Sequence, residues 1–196
     1  HEVWELKLHN KSGRKRELSI FSAVTFELEG FSYPRYYEMY RCIETRFDEE
    51  LNGIYCASSH PFAPHKRYNA FLASSEPVFA YDGELGKFCG ENGTITKLDA
   101  SAYALFQKPK IVVEGMDCTN SEGALFVLGG VLQNKVALEA NEEKKIYFIL
   151  GVSESLQEAV TVKDYYKDIQ VVETCLKETE QYNTEKYASL SMNTPD

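Results

Sequence analysis

The strongest indication of the fold is found in residues 3–28, VWELKLHNKSGRKRELSIFSAVTFEL. In its first part, Trp4, Leu6 and Leu8 alternate with charged residues, which is the period of a β-strand with one buried face. After the polar residues NKSGRKR, apolar residues again occupy every second position. The two runs are predicted to be strands, and the short polar connection between them predicts an antiparallel hairpin.

The same pattern recurs along the chain to about residue 155. Short segments rich in aromatic and β-branched residues are separated by Gly, Pro, Asn or Asp, as in proteins with many short strands. The polar run LEANEEKK predicts a second hairpin between the last two strands. The predicted fold is all-β, an antiparallel super-β-sandwich whose sheets bury alternate residues against each other. The further predicted strand segments are RYYEMYRCIETRF, GIYCASS, YNAFLASS, GGVLQNKVAL and KKIYFILGVS.

A different period follows the predicted strands. From Val162 onwards, apolar residues recur at three- and four-residue spacing in a segment without Gly or Pro, which predicts an amphipathic helix. We therefore expect a β-sandwich domain at residues 1–160 and a linker helix at 161–190. The residues of the predicted apolar face are Tyr165, Ile169, Val172 and Leu176.

Charge and composition limit the partners and the compartment. Lys and Arg number 21 against 30 acidic residues, and the net charge of -9 disfavours nucleic acid and anionic membrane surfaces. No apolar run approaches the ~18 residues of a membrane helix and no signal segment opens the chain, so we expect a cytoplasmic protein. The 5 cysteines are widely spaced and never form CxxC, which favours neither disulfides nor a zinc site.

The most distinctive stretch is residues 58–90, SSHPFAPHKRYNAFLASSEPVFAYDGELGKFCG. Its basic and aromatic side chains are of the types that bind an anion or line a sugar site. The alternative is a long surface loop held by its prolines, with solvated basic residues. Its two histidines lack a nearby third ligand, so no metal site is predicted. The candidate substrate-loop residues are His60, His65, Arg67, Tyr81 and Asp82.

Three other features have simple structural interpretations. In EGMDCTNSEGALFVLGG, nothing local would lower the thiol pKa of Cys118, which we interpret as a small residue filling a turn before a strand. The tyrosine-rich run at residues 33–40 is interpreted as a sheet-surface or interface cluster. Adjacent acidic residues in turns do not face each other across a glycosidic bond, as glycosidase chemistry requires. The residues alone therefore indicate no catalytic group.

Four segments carry a family resemblance through their order and spacing. They are VWELKLHNKSGRKRELSIFSAVTFEL, RYNAFLASSEPVFAYDGELGKFCG, GALFVLGGVLQNKVALEANEEKKIYFILG and NTPD. Together they resemble the N-terminal β-sandwich domain of the inverting β-glycoside phosphorylases of glycoside hydrolase family 94, of the cellobiose, cellodextrin and laminaribiose phosphorylase type. The resemblance covers nearly the whole chain.

The resemblance implies a division of labour within a longer enzyme. In this family a sandwich and linker helices precede an (α/α)6 barrel, which holds the general-acid aspartate and the phosphate-binding residues. Residues 191–196 would lead into that barrel, and the opening at His1 implies a sandwich that is incomplete at its N-terminus. No catalytic residue is carried over to this chain.

The resemblance also implies a reaction. Inorganic phosphate, as co-substrate, would attack the anomeric carbon of a β-linked gluco-oligosaccharide with inversion to give α-glucose 1-phosphate, without a cofactor. Members of the family are commonly homodimers.

The sequence leaves three functions open. The first is the supporting domain of a phosphorylase, inactive by itself. The second is a free carbohydrate-binding module that binds through residues 58–90, although such modules usually end with their last strand and this chain continues into a helix. The third is a dimerisation module that acts through the tyrosine-rich strand at residues 36–40.

Overall fold

The structure, a computed structural model, describes residues 1–26, 43–58, 69–90, 106–124 and 128–188. The strands are β1 Glu2–His9, β2 Arg16–Thr25, β3 Ile43–Asp48, β4 Gly53–Ser58, β5 Asn69–Ser74, β6 Ala80–Glu84, β7 Gly123–Ala124, β8 Leu128–Leu138 and β9 Glu143–Ser153. The helices are α1 Leu85–Cys89, α2 Lys110–Glu114, α3 Leu156–Tyr165 and α4 Ile169–Tyr187.

The strands form two sheets, which confirms the predicted antiparallel sandwich. Among the described residues, the larger sheet has six strands in the order β1-β9-β5-β4-β3-β7, and the smaller has three in the order β2-β8-β6. All of their strand pairs are antiparallel. Between the sheets lies an apolar core that includes Ile54, Leu72, Leu132, Ile146 and Phe148.

Both predicted hairpins are wrong. β1 pairs with β9, with Trp4 opposite Phe148, whereas β2 pairs with β8, with Ile20 opposite Asn134. The connections β1–β2 and β8–β9 therefore each cross from one sheet to the other. A period of two shows which face of a strand is buried but carries no information on the partner strand, and this explains the error.

One buried asparagine joins these two crossings. Asn10 is 6% exposed, and its side-chain amide donates to the carbonyl oxygens of Arg14, Leu138 and Glu139. Its backbone N–H donates to Glu142 O at 2.9 Å, and its carbonyl accepts from Asn141 N at 2.9 Å. Asn10 thereby satisfies backbone polar groups of both turns where the chain leaves the sheets.

Helices cover the outer faces of both sheets. In β5, Ala70 and Leu72 face the core between the sheets, whereas Phe71 and Ala73 pack in a second cluster with Ala159 of α3. All six residues of β5 are consequently buried. On the far side of the smaller sheet, α1 and α2 contribute to a third cluster. The expected alternation of buried and exposed residues fails in β5 because both of its faces are covered.

The C-terminal helical region differs from the prediction in two respects. The chain forms two helices rather than one, since Tyr166 closes α3 and the Asp168 carboxylate caps α4 by accepting from Gln170 N. The predicted apolar face is also wrong, because Val172 is buried but Ile169 and Leu176 are 47% and 37% exposed. An apolar period predicted a helix correctly but not how much of it the sheet would cover.

Candidate functional site

The predicted candidates divide between described and undescribed residues. His60, His65 and Arg67 lie outside the described residues. Tyr81 and Asp82 are neighbours in β6, so their side chains point to opposite faces of the strand. These two residues belong to a polar network that joins β6 and β8 to residues 117–121, named here the Asp82 network.

Asp82 is the centre of this network. Its side chain is 0% exposed. Its Oδ1 atom accepts from Thr119 N at 3.0 Å, Thr119 Oγ1 at 2.6 Å, Ser121 N at 3.3 Å and Ser121 Oγ at 2.9 Å. A buried carboxylate requires such partners because an unpaired charge in an apolar environment is costly. Asp82 therefore fixes the loop before β7 from within the protein instead of facing solvent.

Backbone bonds reinforce the attachment of the loop to β6. Asn120 N donates to Tyr81 O at 2.8 Å, and Asn120 Oδ1 accepts from Tyr81 N at 3.1 Å. Gly83 N donates to Ser121 O at 2.7 Å, beside the isolated parallel bridge between Asp82 and Ser121. Asn120 has a φ of 57°, a left-handed conformation that asparagine tolerates better than most residues. The loop thus runs along β6 as a short parallel extension.

A buried glutamine from β8 holds the other end of the loop. Gln133 is 0% exposed, and its Oε1 accepts from Cys118 N at 2.9 Å. Its Nε2 donates to Asp117 Oδ1 at 2.7 Å, while Lys135 Nζ lies 3.0 Å from Asp117 Oδ2. The hydrogen bond from Gln133 and the ammonium of Lys135 lower the pKa of Asp117. Asp117 thus remains an acceptor at neutral pH and closes the network.

The cysteine in this loop has no features of a nucleophile. Cys118 is 7% exposed, and burial followed by the negative charge of Asp82 raises the pKa of its thiol. A thiol must ionise to attack, so this environment makes Cys118 unreactive. Its interpretation as a buried residue in a turn is confirmed.

Tyr81 lies on the opposite side of β6 and is partly exposed. Its ring stacks on Phe47 of β3, with centroids 4.4 Å apart and planes 10° from parallel. Burial, then the charges of Glu122 and Asp82, raise the pKa of the Tyr81 hydroxyl. The ring pair connects the two sheets across the core. That Tyr81 or Asp82 contacts substrate stays a prediction.

Two open grooves lie beside Tyr166, away from the Asp82 network. One, of about 380 Å³, lies between β1 and α4 and is lined in part by Val3, Cys175 and Leu176. The other, of about 240 Å³, is lined in part by Asn52 and Lys163. Neither of these two grooves is lined by Tyr81 or Asp82.

Within the described ranges, no group of three or more His, Cys, Asp or Glu side chains could hold a metal ion. In the same part of the chain, none of the helices is both long and apolar enough to span a membrane.

Sequence reasoning missed most of the Asp82 network. Gln133 lies inside the apolar run GGVLQNKVAL. A polar residue within a buried strand indicates that its side chain has a hydrogen-bond partner in the fold. The same holds for Asn134, which is 0% exposed and donates to Glu76 O and Pro77 O. Thr119 and Ser121 carried no such signal because their polar surroundings resemble an ordinary turn.

The fold and this network define a class of protein, a β-sandwich domain covered by helices. Among the described residues, the buried polar side chains of the Asp82 network hold the structure together. The family model for the supersandwich domain of glycosyl hydrolase 94 matches residues 1–169. The chain therefore belongs to this family, and the resemblance expected from the sequence is confirmed.

The chain is similar to three characterised phosphorylases. It is 28% identical over 158 residues to solabiose phosphorylase of Paenibacillus borealis, covering 81% of this chain and 19% of that protein. It is 23% identical over 207 residues to N,N'-diacetylchitobiose phosphorylase of Vibrio proteolyticus, covering 100% of this chain and 22% of that protein. It is 24% identical over 208 residues to 3-O-β-D-glucopyranosyl-β-D-glucuronide phosphorylase of Paenibacillus borealis, covering 100% and 24%. The chain thus spans no more than about a quarter of these relatives.

Proposed function

We propose that this chain is the supporting supersandwich domain of a glycoside phosphorylase that cleaves β-linked gluco-oligosaccharides with inorganic phosphate. The observation that carries the proposal is the family match over residues 1–169, together with three relatives that are all phosphorylases. The proposed parent protein is cytoplasmic and homodimeric and uses phosphate as co-substrate without a further cofactor.

The proposed reaction is a single displacement. A phosphate oxygen forms a bond to the anomeric carbon while the bond from that carbon to the glycosidic oxygen breaks, and a general acid protonates the departing oxygen. Inversion of a β-linkage in this step yields α-glucose 1-phosphate. We assign none of these roles to a described residue, because Asp82 is buried and the acidic Asp117 is paired with Lys135.

The contacts of the described residues support a role in fixing the shape of surface loops rather than in bond cleavage. The Asp82 network fixes residues 117–121, and two asparagines fix the crossing from β5 to β6: Asn52 donates to Ser74 O and Glu76 O, and Asn134 donates to Pro77 O. Loops fixed by buried polar groups keep their shape, as is needed when a supporting domain presents them to a neighbouring domain.

The first experiment measures glucose 1-phosphate release by the 196-residue chain and by the longer parent protein, each with cellobiose, cellotriose or laminaribiose and phosphate. We expect release by the parent and none by the chain alone. Solabiose and N,N'-diacetylchitobiose are included in the panel because the relatives are named for them. For N,N'-diacetylchitobiose, which is built of N-acetylglucosamine, the product measured is N-acetylglucosamine 1-phosphate. If the parent phosphorolyses only one of these two sugars, the proposed gluco-oligosaccharide specificity is wrong; no phosphorolysis of any sugar would overturn the phosphorylase proposal itself.

A second experiment tests the substrate-loop residues in the parent protein. His60→Ala, His65→Ala, Arg67→Ala and Tyr81→Phe are each expected to raise KM if the side chain contacts sugar in the ground state. Asp82→Asn is measured in the same way: a raised KM would indicate contact with sugar, whereas a lower thermal stability with an unchanged KM would indicate that the buried Asp82 side chain only holds the fold. Unchanged KM values in all four variants would remove these residues from the proposed site.

A further inference from the structure

Helix α4 has few apolar contacts with the rest of the protein. Of its 19 residues, Val172 is the only buried one. Residues 177–187 are exposed on all sides. By contrast, α3 places Ala159 and Val160 in the cluster on the outer face of the six-stranded sheet. Segments with few buried apolar contacts open at lower free energy than the core, so α4 belongs to the least stable part of the fold.

A charge network adds to this small apolar contact. Lys145 Nζ of β9 lies 2.7 Å from Glu173 Oε1 of α4 and 3.3 Å from Glu5 Oε2 of β1. The Tyr147 hydroxyl also donates to Glu5 Oε2 at 3.2 Å. The Glu5 side chain is only 12% exposed, and that of Lys145 is 34% exposed. Glu5, Lys145 and Glu173 are named here the Lys145 network.

The network lies on the same side of the sheet as α3. Along β9, Tyr147 and Ile149 share the face of Lys145, and Ile149 belongs to the apolar cluster that contains α3. Lys144 points to the other face, where its ammonium lies 2.8 Å from Glu76. Of this adjacent pair of lysines, one is thus bonded to α4 and the other is not.

We propose that α4 is a detachable helix, held on the outer face of the sheet by Val172 and the Lys145 network, and that it leaves this face in high salt or acid while the sandwich stays folded. Lys145 is the positioning residue, because it alone among the members of the network bonds to both β1 and α4. Tyr166 and Asp168, which end α3 and begin α4, bound the connection about which the helix moves. This attachment of α4 belongs to the 196-residue chain and does not depend on the proposed phosphorylase activity.

The charged groups around the network determine its response to pH. Glu5 also pairs with Lys7 at 2.8 Å, and Lys177 acts on Glu173 from within α4. Hydrogen bonds from Lys7 lower the pKa of Glu5, and those from Lys145 lower the pKa of Glu173, below the usual value of 4.5. Depressed carboxyl pKa values mean that the attachment is complete above pH ~4.5 and is lost as the pH falls below it. The same carboxylates raise the pKa of Lys145, so the ammonium persists through the neutral and mildly alkaline range.

The experiment uses Cys175 as a reporter of the detached helix. This partly exposed thiol lines the groove between β1 and α4, whereas Cys56, Cys89 and Cys118 are buried and report on unfolding of the sandwich. Labelling with a thiol reagent is followed by peptide mapping in a Cys42→Ser background, since Cys42 lies outside the described residues. Lys145→Met is expected to accelerate labelling of Cys175 about threefold to fivefold, the range open to a partly exposed ion pair. Labelling of the buried thiols should not change.

The matched control is Lys144→Met. Lys144 is the adjacent lysine and has a similar exposure, with 31% of its side chain accessible, but it pairs with Glu76 and not with α4. It should leave Cys175 labelling unchanged. Raising salt from about 0.01 M to about 1 M shortens the Debye length from about 30 Å to about 3 Å. This change should accelerate Cys175 labelling in the chain that retains Lys145 but not in Lys145→Met. The proposal is overturned if Lys145→Met leaves the Cys175 rate unchanged, or if the buried thiols become reactive to the same degree.

Discussion

Asp82 Oδ1 lies 2.6 Å from Thr119 Oγ1, and this bond ties the centre of β6 to a loop 37 residues later in the chain. Four hydrogen bonds in all converge on this oxygen from Thr119 and Ser121. A charged acceptor with several donors in a buried position contributes more than a neutral hydrogen bond on the surface. The order of this loop therefore depends on one carboxylate.

Replacing that carboxylate should destabilise the protein strongly. Asp82→Ala is expected to lower the free energy of unfolding by about 3 kcal/mol, because it leaves buried donors without an acceptor. Asp82→Asn keeps one carbonyl oxygen and should cost less. Urea unfolding measures both. A double-mutant cycle with Thr119→Val should show non-additivity, and a cost for Asp82→Ala under about 0.5 kcal/mol would contradict the role assigned to it.

Asn10 is predicted to hold the two sheet crossings together. Asn10→Ala removes the amide that bonds to Leu138 O and Glu139 O, and it should lower the free energy of unfolding by about 2 kcal/mol. Lys11→Ala, at the adjacent exposed position, serves as the control, and its free energy of unfolding should stay within about 0.5 kcal/mol of that of the unsubstituted chain. Equal effects of the two variants in urea unfolding would refute the role of the amide.

Gly53 is required by a close approach of two strands. A Cβ atom at this position would collide with the carbonyl oxygen of Leu72 in the neighbouring β5. Gly53→Ala is therefore expected to lower the free energy of unfolding by about 2 kcal/mol, as overpacking in a core does. Gly13→Ala has open space around the new methyl group and should be close to neutral in the same thermal or urea measurement.

The buried thiols predict a loss of stability at alkaline pH. Burial raises the pKa of Cys89 to about 11, and burial with the nearby charge of Glu44 raises that of Cys56 to about 12, from an ordinary value of 9.0. A raised thiol pKa stabilises the folded state fully below pH ~9, and this contribution is lost as the pH rises from there towards the folded-state value. For Cys56 the loss is roughly 1.4 kcal/mol at pH ~10.

Urea unfolding at a series of pH values from about 7 to about 10 measures this loss. Cys56→Ala should be less stable than the unsubstituted chain at neutral pH, since the substitution leaves a small cavity. It should lose less stability than the unsubstituted chain when the pH becomes alkaline. Identical pH dependence in the two proteins would show that the thiol of Cys56 ionises normally in the folded state.

Much of the secondary structure was predictable because it depends on local periodicity. The alternation around Trp4 and Leu6 identified β1, and the change to a helical period identified the region of α3 and α4. The inert role of Cys118 was also predictable, since no basic group stands near it in the chain. Each of these properties depends on residues within a few positions of one another.

The candidate site was much less predictable. Asp82 was expected in a substrate-facing loop, but its side chain is buried among donors that lie more than 35 residues away in sequence. Gln133 and Asn10 were not singled out, although both are buried and each joins two segments. The structural role of Gln133 and Asn10 depends on which polar groups the fold brings near their side chains. The sequence does not give these partners, because they come from distant segments.

The sequence by itself determined that this chain forms short antiparallel strands followed by a helical region, because side-chain size and alternation limit each segment to few conformations. The tertiary structure determined that β1 and β2 lie in different sheets, that both faces of β5 are covered, and that the helical region breaks at residues 166–168. These outcomes result from competition between distant segments for the same strand edges and apolar faces. The outcome of that competition depends on the free energy of the whole chain, so it cannot be predicted from a local pattern in the sequence.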